Sequence, residues 1–213
     1  MFALISREKI QLPPGTVVRM PGSWLDYQEL CSSRGDSAIP RIKYSSGEIL
    51  LMSPLPKHGR DAHLVANIVT TLLDCQNRNY EAFTPITMDL PEFGGIEPDY
   101  CFYIDNWQAV VGRDRLKWGT DSSPDLVIEI DVTTYTNASD YLPYRVPEVW
   151  LLKRNQLAIY RLQENEYQQQ TTSRYFPAID LQTIVAQCLE AASERGTGVA
   201  IRELRQRLSN DAG

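Results

Sequence analysis

The run "DLVIEIDV", residues 125–132, constrains the fold most, because it places carboxylates inside the most apolar strand of the sequence. Successive side chains of a strand point to opposite faces, so Asp125, Glu129 and Asp131 share one face with Val127. Burying an unpaired carboxylate costs several kcal/mol or forces it to take up a proton. The near-continuous apolar pattern predicts a central strand covered on both faces, in which each buried acid needs a partner.

A second Pro-Asp pair opens an earlier apolar run, "PDYCFYI", at 98–104. Alternation places Asp99 on one face with Cys101 and Tyr103. If this strand neighbours the acidic one, Asp99 comes close to Glu129. Convergent carboxylates are stable in a covered sheet when a hard divalent cation lies between them, and Mg²⁺ favours one or two carboxylates together with water.

Structural alternatives exist for each of these acids. Asp99 and Asp125 each follow a proline, so each can cap or turn the chain into its strand, and for Asp125 we favour this interpretation. Glu129 lies in mid-strand, away from such turns. An ion pair between Glu129 and an arginine or lysine from a helix stays open.

The rest of the chain interleaves helices with strands. The predicted elements are an irregular arm at 1–22, a helix at 23–33 capped by Ser23, a hairpin at 41–53, a helix at 58–79, strands at 80–90, 98–104 and 125–132, a meander at 147–154, 156–162 and 166–173, and helices at 179–196 and 200–208. This order favours an α/β or α+β fold with a mixed sheet. We assign 1–35 to an N-terminal arm and short helix, and 36–213 to one domain that includes the C-terminal helices.

Charge and composition narrow the function classes. The net charge of −6 argues against a strong nonspecific nucleic-acid binder, although a local basic groove is compatible with it. Four cysteines without a CxxC pair predict reduced thiols in a cytoplasmic protein rather than disulfides or a zinc site. We expect no membrane segment, since no apolar run approaches the roughly 20 residues needed, and no signal peptide.

Several motifs together resemble one family. "SPLPKHG", "IEPDYCFYI", "PDLVIEIDV" and "VPEVWLL" occur in an order similar to that of the Uma-two family, restriction-endonuclease-like proteins that are abundant in cyanobacteria. The resemblance spans about residues 36 to 190. It implies a PD-(D/E)xK nuclease fold, in which a central mixed sheet flanked by helices holds a divalent metal.

The resemblance also implies roles for individual residues. Asp99 would be the first metal ligand, Glu129 the second, and the main-chain carbonyl of Ile130 a third. His58, just before the long helix, matches the family pattern and would position water or contact phosphate. Its alternative is a simple helix-entry residue beside Gly59.

The chain departs from the family pattern at Asp131, which occupies the position of the usual lysine. That lysine helps to activate water and offsets charge on the scissile phosphate, which an acid cannot do. Asp131 is either a third metal ligand or the solvent-facing end of its strand. The candidate replacements for this lysine are Lys43, Lys57, Lys117 and Arg145.

Two functions follow from the resemblance. The first is a Mg²⁺- or Mn²⁺-dependent endonuclease acting on DNA, with a degenerate site that includes Asp99, Glu129, Asp131 and His58. The second is a catalytically inactive nuclease-fold protein that serves as a binding or assembly module. By analogy with proteins of this fold, we expect a homodimer.

Overall fold

The computed structural model describes residues 12–35, 37, 39–91, 93–131 and 136–211, without the side chains of Asp131 and Asp211. The chain divides into two compact units. The first comprises Met1–Pro56 and Pro85–Glu97, and the second comprises Lys57–Thr84 and Pro98–Gly213. The domain boundary predicted at residue 35 lies inside the first unit.

The helices and strands are numbered in chain order. They are β1 Val17–Pro21, α1 Trp24–Arg34, β2 Arg41–Ser45, β3 Glu48–Met52, α2 Pro56–Cys75, β4 Glu81–Phe83, β5 Met88–Leu90, β6 Gly94–Ile96, β7 Tyr100–Tyr103, β8 Leu126–Asp131, β9 Glu148–Lys153, β10 Gln156–Gln163, β11 Glu166–Gln170, α3 Leu181–Arg195 and α4 Thr197–Asp211. Short 3-10 helices lie at Trp107–Ala109 and Ala138–Tyr144.

The first unit is an antiparallel sheet in the order β1-β3-β2-β6-β5, together with α1. The prediction of α1 is confirmed: the Ser23 side chain accepts from the Asp26 amide, and the Asp26 carboxylate accepts from the Ser23 amide. The predicted hairpin is also confirmed, with Ser46 and Gly47 at φ 52° and 80° in its turn. These left-handed values suit a two-residue hairpin turn.

The second unit contains a mixed sheet in the order β11-β10-β9-β8-β7-β4. Strands β8 and β9 pair in parallel, and the other neighbours are antiparallel. One face of β8, formed by Leu126, Ile128 and Ile130, belongs to the main apolar core, to which α2, α3 and α4 all contribute. The predicted mixed α/β class, with helices packed on a mixed sheet, is confirmed.

Three details of the sequence prediction are wrong. The irregular arm at 1–22 contains β1, which pairs with β3, a partner that local turn residues do not reveal. The single strand at 80–90 is two strands, β4 and β5, which belong to different sheets. The short glycine-containing strand β6 was not predicted, because glycine is a poor strand former without tertiary pairing.

Gly95 in β6 provides a test of the first unit, because a Cβ at this position would overlap the buried ring of Tyr27. We expect Gly95→Ala to lower the free energy of unfolding by about 2 kcal/mol through overpacking. Chemical denaturation measures the change. Gly59→Ala is the control, since its Cβ would meet no atom within 4 Å, and it should be neutral or stabilising. Equal stability of the two variants would contradict this packing.

Candidate functional site

The two acidic strands are neighbours, and their register aligns Asp99 with Glu129. Strands β7 and β8 pair antiparallel, with Tyr100 opposite Ile128 and Cys101 opposite Val127. Asp99 immediately precedes β7, and continuing the register by one residue places it opposite Glu129. Both residues are buried, with 1% and 7% of their surfaces exposed. Two carboxylates that are 30 positions apart in the chain are thereby brought to one end of the strand pair.

Asp99 connects three parts of the second unit through its two carboxylate oxygens. Its Oδ2 accepts from the backbone N–H of Ile130 at 2.7 Å, and its Oδ1 lies 2.7 Å from Nε2 of His58. His58 is also buried, in the first turn of α2. The helix, the start of β7 and the end of β8 are therefore joined at this one side chain.

The carbonyl of Ile130 lies on the same edge of β8 as its N–H. In a strand, the N–H and C=O of one residue are directed to the same neighbour, and here the N–H is directed to Asp99. Strand β7 begins only at Tyr100, so the Asp99 carboxylate takes the place of a backbone partner for Ile130. The carbonyl predicted as a metal ligand is thus directed towards the predicted first ligand.

Glu129 is hydrogen-bonded by a buried phenol. The hydroxyl of Tyr141, in the 3-10 helix Ala138–Tyr144, donates to Oε1 of Glu129. Burial, and then the charge of Glu129, raises the pKa of Tyr141 well above its usual value. The phenol therefore keeps its proton at neutral pH and remains a donor to the carboxylate. Tyr141 and the neighbouring Tyr144 are buried aromatics whose rings lie 6.5 Å apart.

Asp125 has a structural role at the other end of the strand pair. Its Oδ2 accepts from the backbone N–H groups of Ile104, Asp105 and Asn106, at 2.7, 2.9 and 3.1 Å. Asp125 is therefore a structural residue, as we favoured. Its hydrogen-bond partners, however, belong to the segment after β7 and not to its own turn. The two Pro-Asp pairs therefore perform different tasks.

The structure places the four candidate replacements for the missing lysine as follows. Lys57 Nζ binds Asp61, and it donates to Asn155 at 3.2 Å. Arg145 is exposed and donates to Asn165 at 2.8 Å. Lys117 is exposed on the connection that precedes β8, and Lys43 belongs to the first unit. His63, one turn beyond His58 in α2, is exposed and contacts Asn67.

Lys153, the last residue of β9, is the cation that sequence reasoning missed. In the parallel ladder it is the register partner of Asp131, and Leu151 is the partner of Glu129. Its Nζ donates to the backbone carbonyl of Thr136 at 2.7 Å. The side chain of Asp131 lies outside the described part of the structure, so its predicted role stays a prediction. The signal for Lys153 was the motif "PEVWLLK", but only the parallel pairing with β8 makes it relevant.

The donor set suits a hard divalent cation with few protein ligands. Among the described side chains, no group of three His, Cys, Asp or Glu residues is gathered so as to hold a metal ion. Asp99 and Glu129, with the carbonyl of Ile130, provide two carboxylates and one neutral oxygen. A carboxylate has about four acceptor positions, so it can accept hydrogen bonds and bind a cation at the same time. Mg²⁺ binds through one or two carboxylates and retains water, which this set allows.

Comparison with known proteins supplies the family. The profile described as "Uma2: Putative restriction endonuclease" matches residues 24–194. The chain belongs to this family. The match covers both Pro-Asp runs, His58, Tyr141 and Lys153, so every residue of the candidate site lies within the Uma2 region. The resemblance inferred from the four motifs is confirmed.

Two further comparisons were made. A crystal structure from Anabaena variabilis, described as that of "a putative nuclease", is similar at 19% identity, with a TM-score of 0.47. The match covers 69% of this chain and 89% of that one. The comparison with curated proteins found no match. None of the helices within the described ranges has the length and apolar character needed to cross a membrane.

The Tyr141–Glu129 hydrogen bond can be tested by stability. Tyr141→Phe leaves the buried carboxylate without this donor, so we expect the free energy of unfolding to fall by about 2 kcal/mol. Urea denaturation at neutral pH measures the change. Tyr160→Phe is the control, because that half-buried tyrosine of β10 makes no hydroxyl hydrogen bond within the described ranges. A stability loss as large in Tyr160→Phe as in Tyr141→Phe would contradict a specific role for the bond.

Proposed function

We propose that this protein hydrolyses phosphodiester bonds in DNA with the help of Mg²⁺ or Mn²⁺, held by Asp99, Glu129 and the carbonyl of Ile130. The observation that carries the proposal is the register of β7 and β8, which aligns two buried carboxylates beside a carbonyl directed to the same edge. Family membership supports the reaction class, since the family is described as "Putative restriction endonuclease". DNA is accordingly the substrate that we propose.

The residues around the two acids would hold them in place. His58 orients Asp99 through Oδ1, while the Ile130 amide fixes Oδ2, so the carboxylate is held from both sides. Glu129 is on the face of β8 opposite to the apolar core. There the hydroxyl of Tyr141 donates to it and restrains it. A bound divalent cation would activate a water molecule and offset charge on the phosphate. Burial of both acids reduces competing solvent and strengthens their attraction for a cation.

A second function is an inactive nuclease-fold module that binds DNA or a partner without cleaving it. One observation favours this alternative: Asp131 stands at the position where the family resemblance requires a lysine. An acid there adds negative charge close to the scissile phosphate, which opposes catalysis. The two functions differ in whether cation binding is accompanied by strand cleavage.

Metal binding tests the ligand assignment. We expect Glu129→Gln to weaken Mn²⁺ binding at least tenfold, because the neutral amide keeps the size of the side chain and its acceptor for Tyr141 but loses the charge. Isothermal titration calorimetry provides the measurement. The control is Asp114→Asn, which removes one charge from an exposed position and should bind like the wild type. If Glu129→Gln binds Mn²⁺ as tightly as the wild type, Glu129 is not a ligand.

Cleavage tests the reaction. The wild type should nick supercoiled plasmid DNA in the presence of Mn²⁺, and Asp99→Asn should reduce the rate by about 100-fold or more, as expected for loss of a residue that supplies several kcal/mol of transition-state stabilisation. Nicking that persists unchanged in Asp99→Asn would identify a contaminating nuclease. Mn²⁺ binding by a wild type that never nicks DNA would instead support the inactive module.

A further inference from the structure

We propose that Lys153 supplies the positive charge at the scissile phosphate, in place of the lysine missing from position 131. The inference rests on the proposed nuclease function and assigns the one role that the acidic strand leaves unfilled. Lys153 does not belong to the strand that carries the acids, so the usual motif spacing does not detect it. The pairing of β8 with β9 brings it to the site.

The register sets the position of Lys153 relative to Glu129. In the parallel ladder Leu151 is the partner of Glu129, and Lys153 lies two residues further along β9. Residues two apart in a strand share a face, so Lys153 emerges on the face of Leu151, which is also the face of Glu129. Both strands run in the same direction, so their last residues, Asp131 and Lys153, are neighbours at the same end of the strands.

Independent contacts support the same placement. The ammonium of Lys153 donates to the carbonyl of Thr136, and five residues later Tyr141 donates to Glu129. One short segment, 136–141, therefore touches the side chains of both Lys153 and Glu129. Glu129 and Lys153 share the face of the sheet opposite to Ile128 and Ile130, and both side chains contact this one segment.

The change of strand is small compared with the length of a lysine side chain. Neighbouring strands are about 4.8 Å apart, so a lysine moved from position 131 to its partner position is displaced by only one strand spacing. The four-carbon stem of lysine is flexible enough to cover this difference and to return the ammonium to the same region. One hydrogen bond of the ammonium, to the Thr136 carbonyl, marks its position in this region.

The other cations fit this role less well. Lys57 binds Asp61, whose carboxylate also accepts from Arg60. Arg145 is exposed and bonded to Asn165. Lys153 combines a half-buried position with placement on the face of Glu129. In a region of low dielectric, one such charge stabilises the developing negative charge of the phosphate more than it would in water.

Substitution at Lys153 tests the inference in the full-length protein. We expect Lys153→Met to lower the rate constant for nicking supercoiled plasmid with Mn²⁺ by about 100-fold, as for loss of one transition-state donor. Lys153→Arg keeps the charge and should retain more activity than Lys153→Met. Lys117→Met is the matched control, because it removes the same charge from an exposed connection and should cleave like the wild type.

A second measurement separates contact with phosphate from a purely structural role. Binding of a short fluorescent duplex in Ca²⁺ is followed as a function of salt concentration. The slope of log K against log salt concentration is negative. Lys153→Met should make it less negative by about 1, the change for one lost phosphate contact. Lys117→Met should leave that slope unchanged. Circular dichroism and thermal melting verify that the Lys153 variants are folded.

The outcomes distinguish this inference from the proposed function. A Lys153→Met variant that nicks DNA at the wild-type rate would overturn the assignment of Lys153. A 100-fold loss of the nicking rate in Lys57→Met, with no loss in Lys153→Met, would do the same. Neither result would contradict the proposed nuclease activity. Reduced cleavage in folded Lys153→Met with an unchanged salt slope would show that Lys153 acts only through Thr136, and would also overturn it. A wild type that binds Mn²⁺ but cleaves no DNA would overturn both proposals.

Discussion

The second unit depends on the carboxylate of Asp99. One oxygen accepts from the amide of Ile130 and the other contacts His58, so a single buried side chain joins β8, α2 and the start of β7. A buried carboxylate is expensive unless hydrogen bonds compensate it, and these partners provide that compensation. The same bonds fix the direction of the acid. Stability of the strand pair and orientation of the candidate site therefore have one physical origin.

The two Pro-Asp pairs show how one local motif acquires two functions. Asp125 is satisfied by three consecutive backbone amides and closes one end of the β7–β8 pair. Asp99 closes the other end, just before β7 begins and where β8 continues past it. Only at that end does a second acid, Glu129, lie opposite. The difference arises from strand lengths and register rather than from the identity of the residues next to proline.

The proposed role of Lys153 depends on a general property of sheets. A site on a sheet is formed by side chains from several neighbouring strands. A side chain can therefore come from the next strand, displaced by about one strand spacing. Lys153 and Asp131 are register partners, and their strands end at the same edge. An acidic protein with a net charge of −6 can accordingly place a cation where chemistry requires it. Net charge is a sum over the whole protein, whereas the electrostatics of a site depend on the charges within a few angstroms of it.

The sequence by itself indicated the helices, most of the strands and the family, because these depend on periodicity, capping and motifs that lie close together in the chain. It missed β1 and β6 and merged β4 with β5, because these strands depend on partners elsewhere in the chain. It indicated the acids at 99 and 129, since carboxylates are conspicuous in apolar strands. Tertiary structure alone decided that β8 pairs with β9 in parallel, that Tyr141 satisfies Glu129, and that Lys153 reaches this face. Strand pairing joins residues far apart in the chain, and no local preference of the backbone encodes which strands will meet or in what register.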